Sequence, residues 1–162
     1  MRRAICPGSF DPVTNGHLDI FERASQMFDE IIISVFHNPG KDKAMFTMEE
    51  RVEMLRDATK HIPNDRVTCL SGLLNESCRE EKAHFIVSGL PAFSDFEYEF
   101  QRALLIKKID NNLETVFIMT NANYSFLSSS GIRELATFGG CIHGLVPECV
   151  EDRIKSLVIS KE

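Results

Sequence analysis

A chain of 162 residues, 43% hydrophobic and 26% charged, is long enough for one domain with a sizeable core and has the balance of an ordinary globular protein. Its net charge of −6 works against nonspecific binding of nucleic acid or a membrane surface, and it means that an anionic substrate must be met by local cations. There is no apolar run of transmembrane length, no signal-peptide core, and no C-x-x-C pair among Cys6, Cys69, Cys78, Cys141 and Cys149, so a reduced cytoplasmic protein without a metal site of its own is expected.

In chain order, Ala4-Ile5-Cys6 reads as a buried strand and Gly8 to His17 as a glycine- and proline-broken loop. Leu18, Ile20, Phe21, Ala24, Met27 and Phe28 then recur at near-helical spacing, which predicts a helix from about Gly16 to Phe28. Ile31 to Phe36 is an apolar, β-branched run without alternation, as in a strand covered on both faces, and Asn38-Pro39-Gly40 ends it. Thr47-Met48-Glu49-Glu50 is a capping box that opens a helix with Val52, Leu55, Ala58 and Thr59 on its inner face, running to about His61. A strand over Val67 to Leu70, a helix over Leu73 to Lys82 and a strand over Phe85 to Val87 follow. Ser94-Asp95-Phe96-Glu97 is a second capping box, opening a helix with Phe96, Phe100, Ala103, Leu104 and Lys107 on repeating faces. Thr115 to Met119 is a fifth strand, and helices over Ser128 to Phe138 and Pro147 to Val158 close the chain.

This alternation predicts an α/β fold: a single Rossmann-like domain over residues 1–162, with an open parallel sheet of about five strands and helices on both faces. Ligands of such sheets sit outside the carboxyl ends of the strands. The site is therefore expected among Gly8 to His17, Asn38 to Lys43, Ser71 to Leu74, Ser88 to Pro91 and Thr120 to Ser130.

Two of these stretches carry phosphate chemistry. In the first, loop amides and a helix N-terminus suit an anion, and Thr14 and His17 stand three apart, neighbours on a first helical turn. A hydroxyl and an imidazole there can hold a triphosphate, and the imidazole can donate to the phosphoryl group in transfer. His37, His61, His84 and His143 read as ordinary surface or core histidines. In the second, Tyr124-Ser125-Phe126-Leu127-Ser128-Ser129-Ser130 offers hydroxyls and amides before a helix, with Arg133 on its first turn.

Thr14-Asn15-Gly16-His17 resembles the T/H-x-G-H signature of the nucleotidyltransferases, and Pro7 to His17 resembles bacterial phosphopantetheine adenylyltransferase. The serine-rich stretch is similar to that family's second signature, and Ser88 to Glu99 to its R-G-L-R-A-x-S-D-F-E-Y-E run; the resemblance extends from Ala4 to about Val150. It implies transfer of AMP from ATP to 4′-phosphopantetheine, giving dephospho-coenzyme A and pyrophosphate, with Mg²⁺ arriving on the ATP and coenzyme A as an inhibitor. It implies a homohexamer. His17 and Lys41 take the catalytic roles by this resemblance, with Lys43 the alternative to Lys41, and Ser9, Lys41, Leu74 and Ser88 meet the acceptor. ATP falls to Ser9, Phe10, Thr14, His17, Gly89, Leu90, Pro91, Glu99, Tyr124, Ser125, Phe126, Leu127, Ser128, Ser129, Ser130 and Arg133.

Ser88 and Pro91 stand where the family pattern has arginines, and neither can supply a cation. A lost charged hydrogen bond costs about 1.5–3 kcal/mol. Either other basic residues, such as Arg133 and Lys43, carry the charge, or activity is impaired. The further alternatives are an ATP- or coenzyme A-binding module without turnover and a related nucleotidyltransferase with another phosphate acceptor.

Overall fold

A computed structural model describes residues 1–37, 43–90 and 96–160. Its strands are β1 (Arg3–Gly8), β2 (Glu30–Phe36), β3 (Asp65–Leu70), β4 (Phe85–Leu90) and β5 (Glu114–Met119). Its helices are α1 (Asn15–Met27), α2 (Met48–Thr59), α3 (Leu74–Glu80), α4 (Phe96–Ile109), α5 (Ser129–Thr137) and α6 (Glu148–Ile159), with a short 3₁₀ turn at Ala122–Tyr124.

The sheet runs β3-β2-β1-β4-β5, all parallel, as the uninterrupted apolar runs require. Ala4 and Ile5 in the central strand β1 and Ile31, Ile32 and Ile33 in its neighbour β2 are wholly buried. The larger core joins one face of the sheet to α1, α2, α5 and α6 through Ile20, Phe21, Leu55, Ile132, Val150 and Ile154. The smaller one covers the other face, where Ile5, Ile32 and Ile86 meet Cys78 of α3, Leu113 and the half-buried Leu74 and Ile106. Helices therefore lie on both faces.

The chain order of the strands reverses at β1, so the crevice of the fold lies between β1 and β4. Pairing explains why it is open. β1 pairs with β2 along its whole length, Arg3 to Gly8, but with β4 only at Ala4↔Phe85 and Ile5↔Ile86. Beyond Ile5 and Ile86 the strands part, and Pro7 has no N–H with which to hold them together.

Several boundaries differ from expectation. β3 begins at Asp65 and β4 reaches Leu90, while α3 is shorter, ending at Glu80. Pro147 caps α6 and does not enter its first turn. The predicted capping box at Ser94 lies outside the described residues. α4, expected to carry Phe96, Phe100, Ala103, Leu104 and Lys107 on repeating faces, buries none of its residues: Phe96, Phe100, Leu104, Leu105 and Ile109 turn outward.

Candidate active site

Where β1 and β4 part, a cavity of about 510 Å³ opens at their carboxyl ends. One wall comes from Cys6, Pro7 and Gly8 of β1 and Ile86, Val87, Ser88 and Gly89 of β4. The others are the loop and helix start at Ser9, Phe10, Thr14, Gly16 and His17, the α3–α4 side at Leu74, Tyr98, Glu99, Arg102, Ala103 and Ile106, and Thr120, Tyr124, Leu127 and Ser129.

α1 begins with a capping box whose third member is a histidine. The Thr14 N–H donates to His17 Nδ1 at 3.0 Å, and the Thr14 hydroxyl oxygen accepts from the His17 N–H at 3.4 Å. A neutral imidazole carries one proton, so a ring nitrogen that accepts from a backbone N–H leaves the proton on Nε2. Burial pushes the His17 pKa down from 6.5 to about 4. At neutral pH the side chain is thus an uncharged donor with a fixed tautomer. Phe10 holds the ring edgewise, with centroids 5.2 Å apart and planes at 89°, and rests in turn on Phe21. Phe10 has φ of 45°, and its ring lies over Gly8 so closely that a Cβ there would stand 2.7 Å from it. Gly8 is thus fixed by the packing of His17's support.

The loop between β1 and α1 is braced from outside by its carbonyls. Arg51 Nη1 donates to the Ser9 carbonyl at 2.9 Å, Arg133 Nη1 to that of Asp11 at 2.7 Å, and Ser129 Oγ to that of Pro12 at 2.7 Å. The Asp11 carboxylate accepts from the N–H groups of Met45 and Phe46, both at 2.9 Å. With acceptors drawn off in this way, what the loop has left to offer an anion is its amides.

The structure gathers Ser9, Phe10, Thr14, His17, Leu74, Ser88, Gly89, Glu99, Tyr124, Leu127 and Ser129 of the expected site around one cavity. Leu90, Ser125, Phe126, Ser128, Ser130 and Arg133 are not among its lining residues. Leu90 ends β4 and its carbonyl accepts from Thr120 Oγ1 at 2.8 Å. Phe126 is 71% exposed and belongs to a neighbouring groove with Leu135 and Phe138. Ser128 caps α5 by accepting from the Gly131 N–H at 3.0 Å, and Ser130 Oγ accepts from Arg133 Nη2 at 3.1 Å. Arg133, expected at the ATP phosphates, is engaged in bracing the loop. Lys43 is exposed and also lies off the cavity. Lys41 and Pro91 fall outside the described residues.

Sequence reasoning missed Arg51 and Arg102. Nothing in the local pattern marks Arg51, whose partner Ser9 is remote in the chain. Arg102 did carry a signal, since it stands four residues after Tyr98 and three after Glu99, on one helical face.

A cleft at the reversal of a parallel sheet, with a histidine donor on the first turn of α1, defines a nucleotide-binding transferase class. Residues 5–135 match the cytidylyltransferase-like family. The phosphopantetheine adenylyltransferase of Clostridium kluyveri is 57% identical over 148 residues, 91% of this chain and 90% of its own. That of Clostridium botulinum strain Langeland is 50% identical over 162 residues, 100% of this chain and 98% of its own. The chain belongs to the phosphopantetheine adenylyltransferase family of nucleotidyltransferases.

Proposed function

We propose that this chain transfers the adenylyl group of ATP to 4′-phosphopantetheine, releasing pyrophosphate and forming dephospho-coenzyme A. The observation that carries the reading is His17 held as a neutral Nε2–H donor by the Thr14 capping box at the cavity wall. The acceptor's phosphate is anionic at neutral pH and needs no general base. Negative charge grows on the oxygens of the α-phosphorus as it attacks, and an oriented uncharged donor stabilises that charge without being displaced by it. The loop amides and the N-termini of α1 and α5 hold the triphosphate. Lys41, by its match to the family pattern, meets the acceptor's phosphate, and Leu74 packs the pantetheine arm.

Magnesium is carried in as part of the nucleotide and supplies charge neutralisation there. Among the described residues no three His, Cys, Asp or Glu side chains are grouped to hold a metal, and Glu99, the carboxylate lining the cavity, accepts from Ser88 Oγ at 3.3 Å.

The working form is a homohexamer, inhibited by coenzyme A, in the cytoplasm. What supports association is the outward face of α4, where Phe96, Phe100, Leu104, Leu105 and Ile109 are each between 46% and 62% exposed. Among the described residues no helix is long and apolar enough to cross a membrane.

Pyrophosphate release tests the function. With ATP and Mg²⁺, 4′-phosphopantetheine supports turnover and nicotinamide mononucleotide does not; the reverse would move the chain to another acceptor. Running a Ser88→Arg/Pro91→Arg variant beside it asks what the two departures cost. Turnover only in the variant would make this chain an impaired enzyme, and coenzyme A binding without turnover in either would make it a binding module.

A further inference from the structure

The reaction just proposed brings two anions together in a protein of net charge −6, so the cavity needs a permanent cation. His17 is neutral, and Ser88 is a hydroxyl already turned to Glu99. Among the described residues that line the cavity, Arg102 is the only lysine or arginine. It sits on α4 one turn beyond Glu99, on the wall that also carries Leu74 and Ile106. Within the described residues its guanidinium makes no hydrogen bond or ion pair, in contrast to Arg51 and Arg133, which are spent on loop carbonyls.

Position decides which anion it serves. Phosphoryl transfer proceeds in line, with attacking and leaving oxygens on opposite sides of the phosphorus. The triphosphate belongs with the N-termini of α1 and α5, which pack on one face of the sheet. The acceptor then enters along the opposite wall, where α3 and α4 cover the other face. We propose that Arg102 is a second cation that grips the acceptor's phosphate in this chain, in the place of the charge that Ser88 lacks. This rests on the adenylyl-transfer reading above. A guanidinium on an exposed helical turn has the reach and the paired donors for a phosphate, and it costs nothing in burial while the site is empty.

The test is calorimetric binding of 4′-phosphopantetheine and of pantetheine, which lacks the phosphate, to the full chain and to Arg102→Met and Arg102→Lys. The position is exposed, so neither change disturbs the fold. Losing a charged hydrogen bond of this kind weakens binding about 10- to 100-fold. Arg102→Met is expected to show that loss for phosphopantetheine alone, leave pantetheine unchanged, and be largely rescued by Arg102→Lys. Equal weakening of both ligands would make Arg102 a packing residue of the arm, and no weakening of either would make it a solvated charge; both results overturn the proposal. If the unaltered chain binds no phosphopantetheine while it binds ATP, the acceptor reading itself falls, and this inference with it.

Discussion

Helices α1 and α2 start in the same way. In each, a threonine hydroxyl accepts the N–H of the third helical residue, whose side chain reaches back to the threonine N–H. In α2 the partners are Thr47 and Glu50, with Glu50 Oε2 accepting at 2.8 Å, and the threonine is exposed. In α1 they are Thr14 and His17, and Thr14 is 2% exposed. A carboxylate closes the box and has only acceptors left. An imidazole closes it with one nitrogen and presents an N–H with the other. The same local device, worth about 1 kcal/mol to a helix end, thus becomes at α1 a way of fixing a tautomer. Location supplies the rest: α1 starts where β1 and β4 part, whereas α2 starts on the surface.

Breaking α1's box at its histidine has the largest expected effect. His17→Ala removes the donor and should lower turnover by about 10²–10³-fold, the loss typical of one oxyanion-type donor. ATP binding, followed by fluorescence or calorimetry, should persist, since the loop amides and the N-terminus of α5 remain. His17→Gln, which can accept from Thr14 and still donate, should recover part of the turnover and the cap.

Acid provides a second way of separating the boxes. The folded chain holds His17 neutral down to about pH 4, while the unfolded chain takes up its proton near 6.5. This group's contribution to stability is therefore fully present above about 6.5 and is lost as pH falls toward 4. Denaturant midpoints measured across that window should fall more steeply for the unaltered chain than for His17→Gln.

The threonines are the matched pair. Thr14→Val and Thr47→Val should each cost about 1 kcal/mol of stability as lost caps. Only Thr14→Val should also lower kcat. Smallest of all, Glu50→Ala should cost about 0.5 kcal/mol in a thermal melt, as one partly exposed hydrogen bond, and leave turnover untouched.

What the sequence disclosed divides along the same line. Thr14 and His17 were legible because a helical turn sets their contact locally, and the strands because Ile31 to Val35 can only be buried on both faces. The long-range half was not legible. Arg133 looks like a phosphate ligand beside three serines, yet the chain folds back so that it reaches the Asp11 carbonyl across 122 residues. Phe126 sits within the serine motif but faces outward. In α4 the residues recur at helical spacing without marking an inner side; the helix turns Phe96, Phe100 and Leu104 out and sets Arg102 and Glu99 toward the cavity. A lone helix pattern cannot say which side the sheet is on. The widening of the crevice was hidden for a related reason, because it depends on pairing between β1 and β4, which are far apart in the chain.

Transfer rests on the state of one imidazole, which nitrogen-15 NMR of the His17 ring at neutral pH measures directly. The expected result is an unprotonated, hydrogen-bonded Nδ1 and a protonated Nε2, with no titration until the pH approaches 4. A proton on Nδ1, or an imidazolium at pH 7, would contradict it.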